Sequence, residues 1–521
     1  MNTRIAVRLL RAVTRAPARR GFAHTFLGRT ILTVTSVVAL WLSLSPSAWA
    51  VPSYTRRYAV ECSRCHTSWG ALNRSGVTFR LSGYRSLDGV TLKPETDDIE
   101  LSHGMLTLPG TLPLSVIAGA GVDYRKETRT DSNGTTSVRT GSTIAVEDAS
   151  IFLTAPFGDH LSAFIEFPMF ETRAWEFTPT GAAEANDIGG PSQIQFATET
   201  PAFEVAKFFW NNLIGSDNSV NLLGGITHPP LAYSPGKVRL SVNQYLIYER
   251  RALDLISPHK VDDVLGGSAD YLFRLSEPQG LFEVNGMVVP GKQVTDVSKK
   301  ETFWFEYHAG VSNGSNNAAD NNNDKDFYGR FVMRWFGQSL GIFAYDSANT
   351  YDDTLRTDAS IAANPTNGIM SGNQVPNGMS RIGPDFTLSL APFGVPMWLD
   401  NQLMYNREDS PTGFNVPFTW RGGFSQLNWQ LSKETMLYAR YDWITGDRFD
   451  DSTLGGITVS EPKESDEVLG FGYLIRQNVK LIGEYRHHRF VDMAVGTPVN
   501  SGPVTPEIVD DGFTLRVMVG L

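Results

Sequence analysis

The sequence contains only two cysteines among its 521 residues. Because no further cysteine is available for pairing, a fold held together by several disulfides is excluded. Beyond position 44 there is no run of about 18 apolar residues, so helical membrane spans are not expected. The sequence also lacks a nucleophile elbow, a phosphate-binding glycine loop and a zinc-protease motif. The common hydrolase and nucleotide-binding classes are therefore left without support.

The first 50 residues lack acidic side chains and have the features of a targeting segment. They carry seven arginines, followed by the apolar run 31–44. The tripeptide Ala-Trp-Ala at 48–50 then supplies a small-residue cleavage pattern. The sequence therefore predicts a signal peptide over residues 1–50, a mature protein that begins at Val51, and export from the cytoplasm.

Negative charge dominates the remaining chain. Residues 51–521 contain 38 lysines and arginines against 55 aspartates and glutamates, which gives a net charge of −17. Such a surface repels nucleic acid and attracts cations. No nucleic-acid partner is expected; the acidic surface is consistent with a cationic partner or simply with a well-solvated exterior.

From Thr111 onward the sequence alternates with a period of two, as half-buried strands do. One such segment divides between two faces, with Leu437, Ala439, Tyr441 and Trp443 on one and Tyr438, Arg440 and Asp442 on the other. The chain is also rich in aromatic residues, with 30 Phe, 17 Tyr and 11 Trp. Export, aromatics and alternation without long apolar runs are typical of an outer-membrane β-barrel. A large soluble all-β protein is the alternative.

Turn and loop lengths predict the number of strands. Six short connections are evident, at 155–158, 214–219, 336–339, 391–394, 431–434 and 476–478. A seventh lies either at 277–280 or at 290–300. Long polar connections separate them, at 169–199, 229–262, 313–325, 347–381, 406–416, 445–465 and 489–510. Seven hairpins plus the first and last strands predict an all-β fold: a transmembrane antiparallel barrel of about 16 strands over residues 111–521, with short periplasmic turns and long outer loops.

The two cysteines and the residue after them form the motif Cys62-Ser-Arg-Cys65-His66. Two thiols at this spacing can form thioether bonds to one haem, and the histidine that follows can ligate its iron. The alternative is a redox-active or structural disulfide of the thioredoxin kind, which would leave His66 without a role. We therefore predict one covalent haem c in a cytochrome segment over residues 51–110. Apolar residues of this segment are predicted to pack around the haem: Leu72, Val77, Phe79, Leu81 and Tyr84.

The sixth iron ligand has two candidates in this segment. Met105 is its only methionine, and His103 is its only histidine besides His66. A thioether ligand would raise the reduction potential of the iron, and an imidazole would lower it. Met105 is the preferred candidate and His103 the alternative. The third alternative is that neither residue ligates the iron, and the sequence does not decide between the three.

The haem segment resembles the fused cytochrome–porins, the outer-membrane monohaem iron oxidases of bacteria. The matching residues occur in the same order: Pro52, Tyr54, Arg56, Cys62, Cys65, His66, Leu72, Asn73, Gly76, Phe79, Gly83 and Tyr84. The match covers about 35 residues of the chain, and the barrel region resembles the family in pattern only. Among the departures, Gly70 stands where the family usually has proline.

The resemblance implies an electron-transfer protein in the lipid of the outer membrane. Its haem would take electrons from an extracellular donor, with Fe(II) preferred, and pass them to a periplasmic cytochrome or other carrier. Acidic residues expected on outer loops would concentrate such a cation: Asp320, Asp324, Asp326, Asp450 and Asp451. The alternative is a solute porin whose haem-bearing segment serves as an accessory plug.

Overall fold

A computed structural model shows how most of the chain after residue 51 folds. It describes residues 52–60, 64–68, 71–87, 90–91, 93–94, 97, 99–101, 106–108, 110–130, 134–157, 160–171, 176–178, 193–195, 205–215, 218–233, 241–256, 273–290, 303–314, 324–351, 376–411, 416–451, 457–459, 461–476, 478–491 and 507–520. The predicted signal peptide lies outside these residues. In the described part, no helix has the length and apolar character needed to cross a membrane.

The N-terminal segment contains short helices and short paired strands. Helix α1 spans Pro52–Tyr58 and helix α2 spans Arg74–Leu81. The strands pair in sequence order as antiparallel couples: β1 (His66–Ser68) with β2 (Ala71–Leu72), β3 (Ser86–Leu87) with β4 (Val90–Thr91), and β5 (Ile99–Leu101) with β6 (Leu106–Leu108). We refer to residues 52–87 as the N-terminal insert.

Sixteen strands form a closed antiparallel barrel, which confirms the predicted fold class and strand number. Their bounds are β7 Leu114–Thr130, β8 Thr136–Phe157, β9 Leu161–Glu171, β12 Val205–Ile214, β13 Val220–Thr227, β14 Gln279–Val288, β15 Trp304–Ser312, β16 Asp326–Trp335, β17 Gln338–Tyr351, β18 Pro376–Ser389, β19 Met397–Glu408, β20 Phe418–Gln430, β21 Thr435–Gly446, β24 Lys463–Arg476, β25 Val479–Val491 and β26 Glu507–Gly520. The first and last strands, β7 and β26, pair and close the barrel. Two further short strand pairs are not part of the barrel sheet: β10 (Glu176–Thr178) with β11 (Gln193–Gln195), and β22 (Phe449–Asp451) with β23 (Ile457–Val459).

The predicted alternation corresponds to the outer and inner faces of the barrel. Apolar side chains lie outside: Leu469, Tyr485, Phe513 and Tyr124 are successive cross-strand neighbours, and each is at least 43% exposed. Polar side chains alternate with them on the opposite face, where Asp466 of β24 and Glu484 of β25 are buried. This pattern results from the two-residue period of a strand, which places neighbouring side chains on opposite faces.

The seven connections that the sequence predicts as short all lie at one end of the barrel, which we call the turn end; the opposite end, the loop end, also holds the connection 131–135 between β7 and β8. The undecided seventh connection is the one between β14 and β15, at 289–303, so the 290–300 alternative is confirmed. The 277–280 alternative is wrong because Gln279 already begins β14. The turn predicted at 155–158 is displaced, since β8 continues through Phe157 before the chain reverses.

One long connection does not stay outside the barrel. The sequence predicts a polar outer loop at 229–262, but its residues 241–256 fold back into the lumen, and we call them the central insert. They contain helix α3 (Leu246–Glu249) and helix α4 (Ala252–Ile256). Ile247, Tyr248 and Leu255 have no exposed surface. The prediction fails here because these apolar side chains gain more by burial against the barrel wall than they would in water.

Candidate functional site

Helix α2 of the N-terminal insert packs on the inner wall at the turn end. Val77 and Leu81, which the sequence placed around a haem, are 3% exposed and contact Met287 and Trp304 of the wall. Met287 lies next to the last residue of β14, and Trp304 is the first residue of β15. The Nδ2 of Asn221 also donates to the Leu81 carbonyl at 3.1 Å. The helix therefore packs against the barrel rather than only against its own segment.

An ion-pair network reinforces this docking. Arg80 of α2 pairs with the Glu306 carboxylate at 2.8 Å, and Arg334 pairs with the same carboxylate at 2.9 Å. The imidazole of His308 lies between two carboxylates, 3.0 Å from Glu306 and 2.7 Å from Glu283. Glu306 has no exposed side-chain surface. A buried carboxylate requires such partners, so removing either arginine would leave charge poorly compensated.

The backbone of the motif itself is held by the start of α2. The Asn73 N–H donates to the Cys65 carbonyl at 3.0 Å, and its Nδ2 donates to the Arg64 carbonyl at 3.1 Å. Asn73 is also the N-cap of α2, since its Oδ1 accepts from the Gly76 N–H at 2.9 Å. A Cβ added at Gly76 would lie 2.1 Å from the Cys65 carbonyl oxygen. Glycine is therefore needed where the helix approaches the motif.

Cys65 borders an aromatic cluster formed by Tyr54, Tyr58, Phe79 and Tyr84. Tyr54 stacks on Tyr84 with a centroid distance of 5.1 Å and meets the edge of Phe79 at the same distance. Burial raises the pKa of Tyr84 to about 12, so its phenol is neutral at physiological pH. The cluster gives one side of the motif an apolar surround.

The end of α2 fits closely into the wall. Gly83 has φ +60°, and Tyr84, which follows it, has φ +66°. The Tyr84 N–H donates to the Phe79 carbonyl at 2.8 Å, which closes a helix-terminating turn of the kind that favours glycine. A Cβ at Gly83 would lie 2.1 Å from Ser162 Oγ and 2.9 Å from Phe209 Cβ. Gly83 and Tyr84, which also match the family motif, therefore form a turn and contact the barrel wall.

The predicted ligand residues fall partly within the described structure. Cys65 and His66 lie in the N-terminal insert, where His66 pairs with Leu72 across β1 and β2. Cys62, His103 and Met105 lie outside the described residues, so their roles stay predictions. In the part of the chain that the structure describes, no group of three His, Cys, Asp or Glu side chains is placed to hold a metal ion.

The surroundings of Cys65 fit a covalently attached haem. Cys65 would supply one of the two thiols that such attachment requires, and the imidazole of the adjacent His66 would ligate the iron. The apolar cluster beside Cys65 suits a large apolar ring, and the Asn73 and Gly76 contacts fix the motif backbone.

The central insert is anchored to the wall by buried charges that sequence reasoning missed. The Glu484 carboxylate accepts from Ser241 Oγ at 2.7 Å, from the Val242 N–H at 2.9 Å and from Tyr438 Oη at 2.7 Å. Arg440 donates to the Asn243 carbonyl at 2.9 Å. Two of these bonds satisfy backbone groups of the insert, the Val242 N–H and the Asn243 carbonyl.

The rest of the central insert continues this pattern toward the loop end. Arg250 binds the Glu464 carboxylate through its Nε and Nη2 atoms, at 2.6–2.9 Å. Tyr245 stacks on Phe424 with a centroid distance of 4.0 Å. The apolar residues of 245–256 within an otherwise polar connection are the signal that could have indicated burial.

The two inserts contact different parts of the lumen wall. Contacts of the N-terminal insert lie on strands from β7 to β15, near the turn end. Contacts of the central insert lie on strands from β18 to β25, between mid-barrel and the loop end. The two inserts therefore occupy the lumen together, each against a different arc of its inner wall.

Comparison with known proteins gives structural neighbours only. No protein-family model matches the chain, and no curated protein matches it. An anion-selective porin from Comamonas acidovorans has a TM-score of 0.43 at 10% identity, covering 78% of this chain and 99% of the porin. The outer membrane channel DcaP of Acinetobacter baumannii has a TM-score of 0.40 at 9% identity, covering 82% and 100%. OprB of Pseudomonas putida has a TM-score of 0.39 at 11% identity, covering 78% and 94%.

Proposed function

We propose that this chain is an outer-membrane protein of a bacterium. The barrel closes on itself, so its strands pair without an open edge, as spanning strands in lipid require. Its outer face carries exposed apolar side chains such as Leu403, Leu427 and Leu469, which are 49%, 41% and 60% exposed. In water these side chains would favour association, whereas hydrocarbon solvates them. By the usual orientation of such barrels, the turn end faces the periplasm.

Within that barrel we propose an electron-conducting role. The observation that carries the proposal is the docking of the motif-bearing N-terminal insert inside the lumen, through Val77, Arg80 and Gly83. Cys62 and Cys65 would hold a haem covalently, and His66 would ligate its iron. When bound, that haem supplies one-electron chemistry between a donor outside the cell and an acceptor in the periplasm. The docking contacts keep the motif at the periplasmic mouth, where an acceptor protein can reach it.

A solute channel is the second candidate, and the barrel itself favours it. Barrels of 16 strands are wide enough to enclose an aqueous passage. The lumen wall also carries buried charges, among them Arg330, Asp385 and Arg381, of the kind that select ions and polar solutes. In this case the two inserts would narrow the passage, and the haem segment would be an accessory plug.

One experiment separates the two candidates. The purified protein is placed in liposomes, ferrous iron is added outside under anaerobic conditions, and the haem absorption bands are recorded. The conduit proposal expects reduction of the haem in the native protein and none in the His66→Ala variant, whose barrel still assembles. Small-solute permeation is measured on the same liposomes. Absence of iron-dependent reduction together with porin-like permeation would reject the conduit and favour the channel.

The haem assignment has its own control. Replacing Cys62 and Cys65 with alanine should abolish peroxidase staining of the denatured protein band, because thioether bonds survive denaturation and axial ligands do not. Staining that persists in the double variant would show that the haem is not attached through these thiols.

A further inference from the structure

The N-terminal insert has the opposite charge to the rest of the protein. The stretch 52–87 contains a single acidic residue, Glu61, and six arginines: Arg56, Arg57, Arg64, Arg74, Arg80 and Arg85. The chain from residue 51 onward has a net charge of −17. Acidic side chains return directly after this stretch, beginning with Asp88, and farther on Asp97 and Glu100 are exposed. The part that contains Cys65 and His66 is therefore basic within an otherwise acidic chain.

Several of these arginines remain accessible after docking. Arg56 and Arg64 are exposed, and Arg74 and Arg85 are partly exposed. Arg80, by contrast, is committed to Glu306 of the wall. Arg64 immediately precedes Cys65, and Arg56 donates to the Leu114 carbonyl at the first residue of β7. Both exposed arginines thus lie at the turn end, close to the motif.

We propose that this basic face is the docking surface for an acidic periplasmic protein that accepts electrons from the insert. The inference rests on the proposed conduit function and adds the charge of its partner. Opposite charges raise the rate of encounter and orient two proteins as they approach. At physiological ionic strength charges are screened over about 8 Å, so the acidic groups of the loop end do not cancel the local field of Arg56 and Arg64. A basic carrier would be repelled by the same face.

The test measures binding, which does not depend on electron flow. The probes are a lysine-rich cytochrome c and the same cytochrome after succinylation of its lysines, which makes it acidic while keeping its fold. Each is titrated against the full-length haem-loaded protein in detergent. We expect the acidic form to bind through the basic face, whereas any binding of the basic form to the acidic remainder of the protein should not respond to substitutions in that face. Raising ionic strength from about 0.1 M to about 1 M shortens the screening length from about 10 Å to about 3 Å and should largely abolish binding.

Charge variants locate the surface. Arg64→Glu combined with Arg56→Gln should weaken binding of the acidic probe by about tenfold or more, a range common for mutations of one interface. Lys433→Glu makes a similar charge change on a turn at the same end and is the matched control, expected to leave binding unchanged. Heat-modifiable migration checks that each barrel is folded.

Three results would overturn the proposal: no binding of the acidic probe, no effect of the arginine substitutions on its binding, or an equal effect of Lys433→Glu. Phosphate that displaces the probe more strongly than chloride at the same ionic strength would instead assign the face to a small anion. Failure of the conduit is detected separately, as absence of haem reduction by ferrous iron, whereas failure of this inference leaves that reduction intact.

Discussion

Gly83→Ala tests whether close packing holds the N-terminal insert in the lumen. Gly83 lies just beyond helix α2 in a left-handed conformation, with φ +60°. An added methyl group would lie 2.1 Å from Ser162 Oγ, 2.8 Å from Asn211 Nδ2 and 2.9 Å from Phe209 Cβ. Because a Cβ is fixed to its backbone, the Phe209 contact cannot be relieved by rotating a side chain. The substitution should therefore push the insert away from the wall.

The expected cost has two parts. Placing an L-residue in the left-handed region costs about 1–2 kcal/mol, and overpacking a tight contact costs about 1–3 kcal/mol. Together these lower the docking equilibrium constant by roughly 30-fold to several-thousandfold, since about 1.4 kcal/mol corresponds to a factor of ten. The barrel does not depend on this contact for its own strand pairing, so it should remain closed.

Gly394→Ala is the matched control. Gly394 also has a left-handed φ, +80°, but no atom lies within 4 Å of the position that a Cβ would occupy. Gly394→Ala therefore introduces backbone strain without a steric clash. The strain lies in the turn between β18 and β19, far along the chain from the insert.

The assay is limited trypsin digestion of the folded protein, with cleavage after Arg80 and Arg85 followed by mass spectrometry. Gly83→Ala should accelerate cleavage at these sites by at least tenfold, while heat-modifiable migration of the barrel is retained. Unchanged cleavage in Gly83→Ala would refute the packing argument. The same acceleration in Gly394→Ala would show that the digestion reports general destabilisation of the barrel rather than the packing at Gly83.

Further substitutions test the buried charges and the axial ligand. Glu306→Gln removes the negative charge that Arg80 binds. Because a hydrogen bond to a charged group contributes about 1.5–3 kcal/mol, its loss should raise the rate of trypsin cleavage of the insert by about tenfold or more. Unchanged protection from trypsin would exclude the ion pair as an anchor. Glu484→Gln leaves donors of the central insert poorly satisfied, and planar-bilayer recordings should show larger or more frequent conducting events than the native barrel; identical recordings would contradict the anchoring role. Met105→Ala should lower the haem potential and admit external ligands if the thioether is the sixth ligand, whereas an unchanged spectrum with a changed one for His103→Ala would transfer the role to the imidazole.

The barrel could be predicted from sequence because its signal is local. Each strand repeats apolar and polar residues with a period of two, and short turns such as Ser432–Glu434 sit where the alternation breaks. There Ser432 Oγ accepts from the Glu434 N–H and the Thr435 N–H, both at 3.1 Å, so one residue determines the turn. Strand number and face assignment follow from such features alone.

The contents of the lumen could not be predicted in the same way. Nothing adjacent in sequence indicates that Tyr245 meets Phe424 or that Arg80 meets Glu306, since these pairs lie far apart along the chain. The expectation for Asp326 failed for the same reason. The sequence placed it on an outer loop, but it is 3% exposed at the first position of β16 and accepts a hydrogen bond from Tyr345.

Because the N-terminal insert and the barrel belong to one chain, the link between them determines how strong their contacts must be for the insert to stay docked. The chain continues from the insert and enters β7 at Leu114, beside the wall that the insert occupies. Docking is therefore an intramolecular equilibrium, governed by an effective concentration that the length and stiffness of the link determine. At an effective concentration of about 1 mM, contacts with a millimolar intrinsic affinity would hold the insert docked about half of the time, and contacts about tenfold stronger would hold it docked about nine-tenths of the time. A perturbation that weakens the contacts of α2 by about tenfold is then enough to release Cys65 and His66 for a large part of the time.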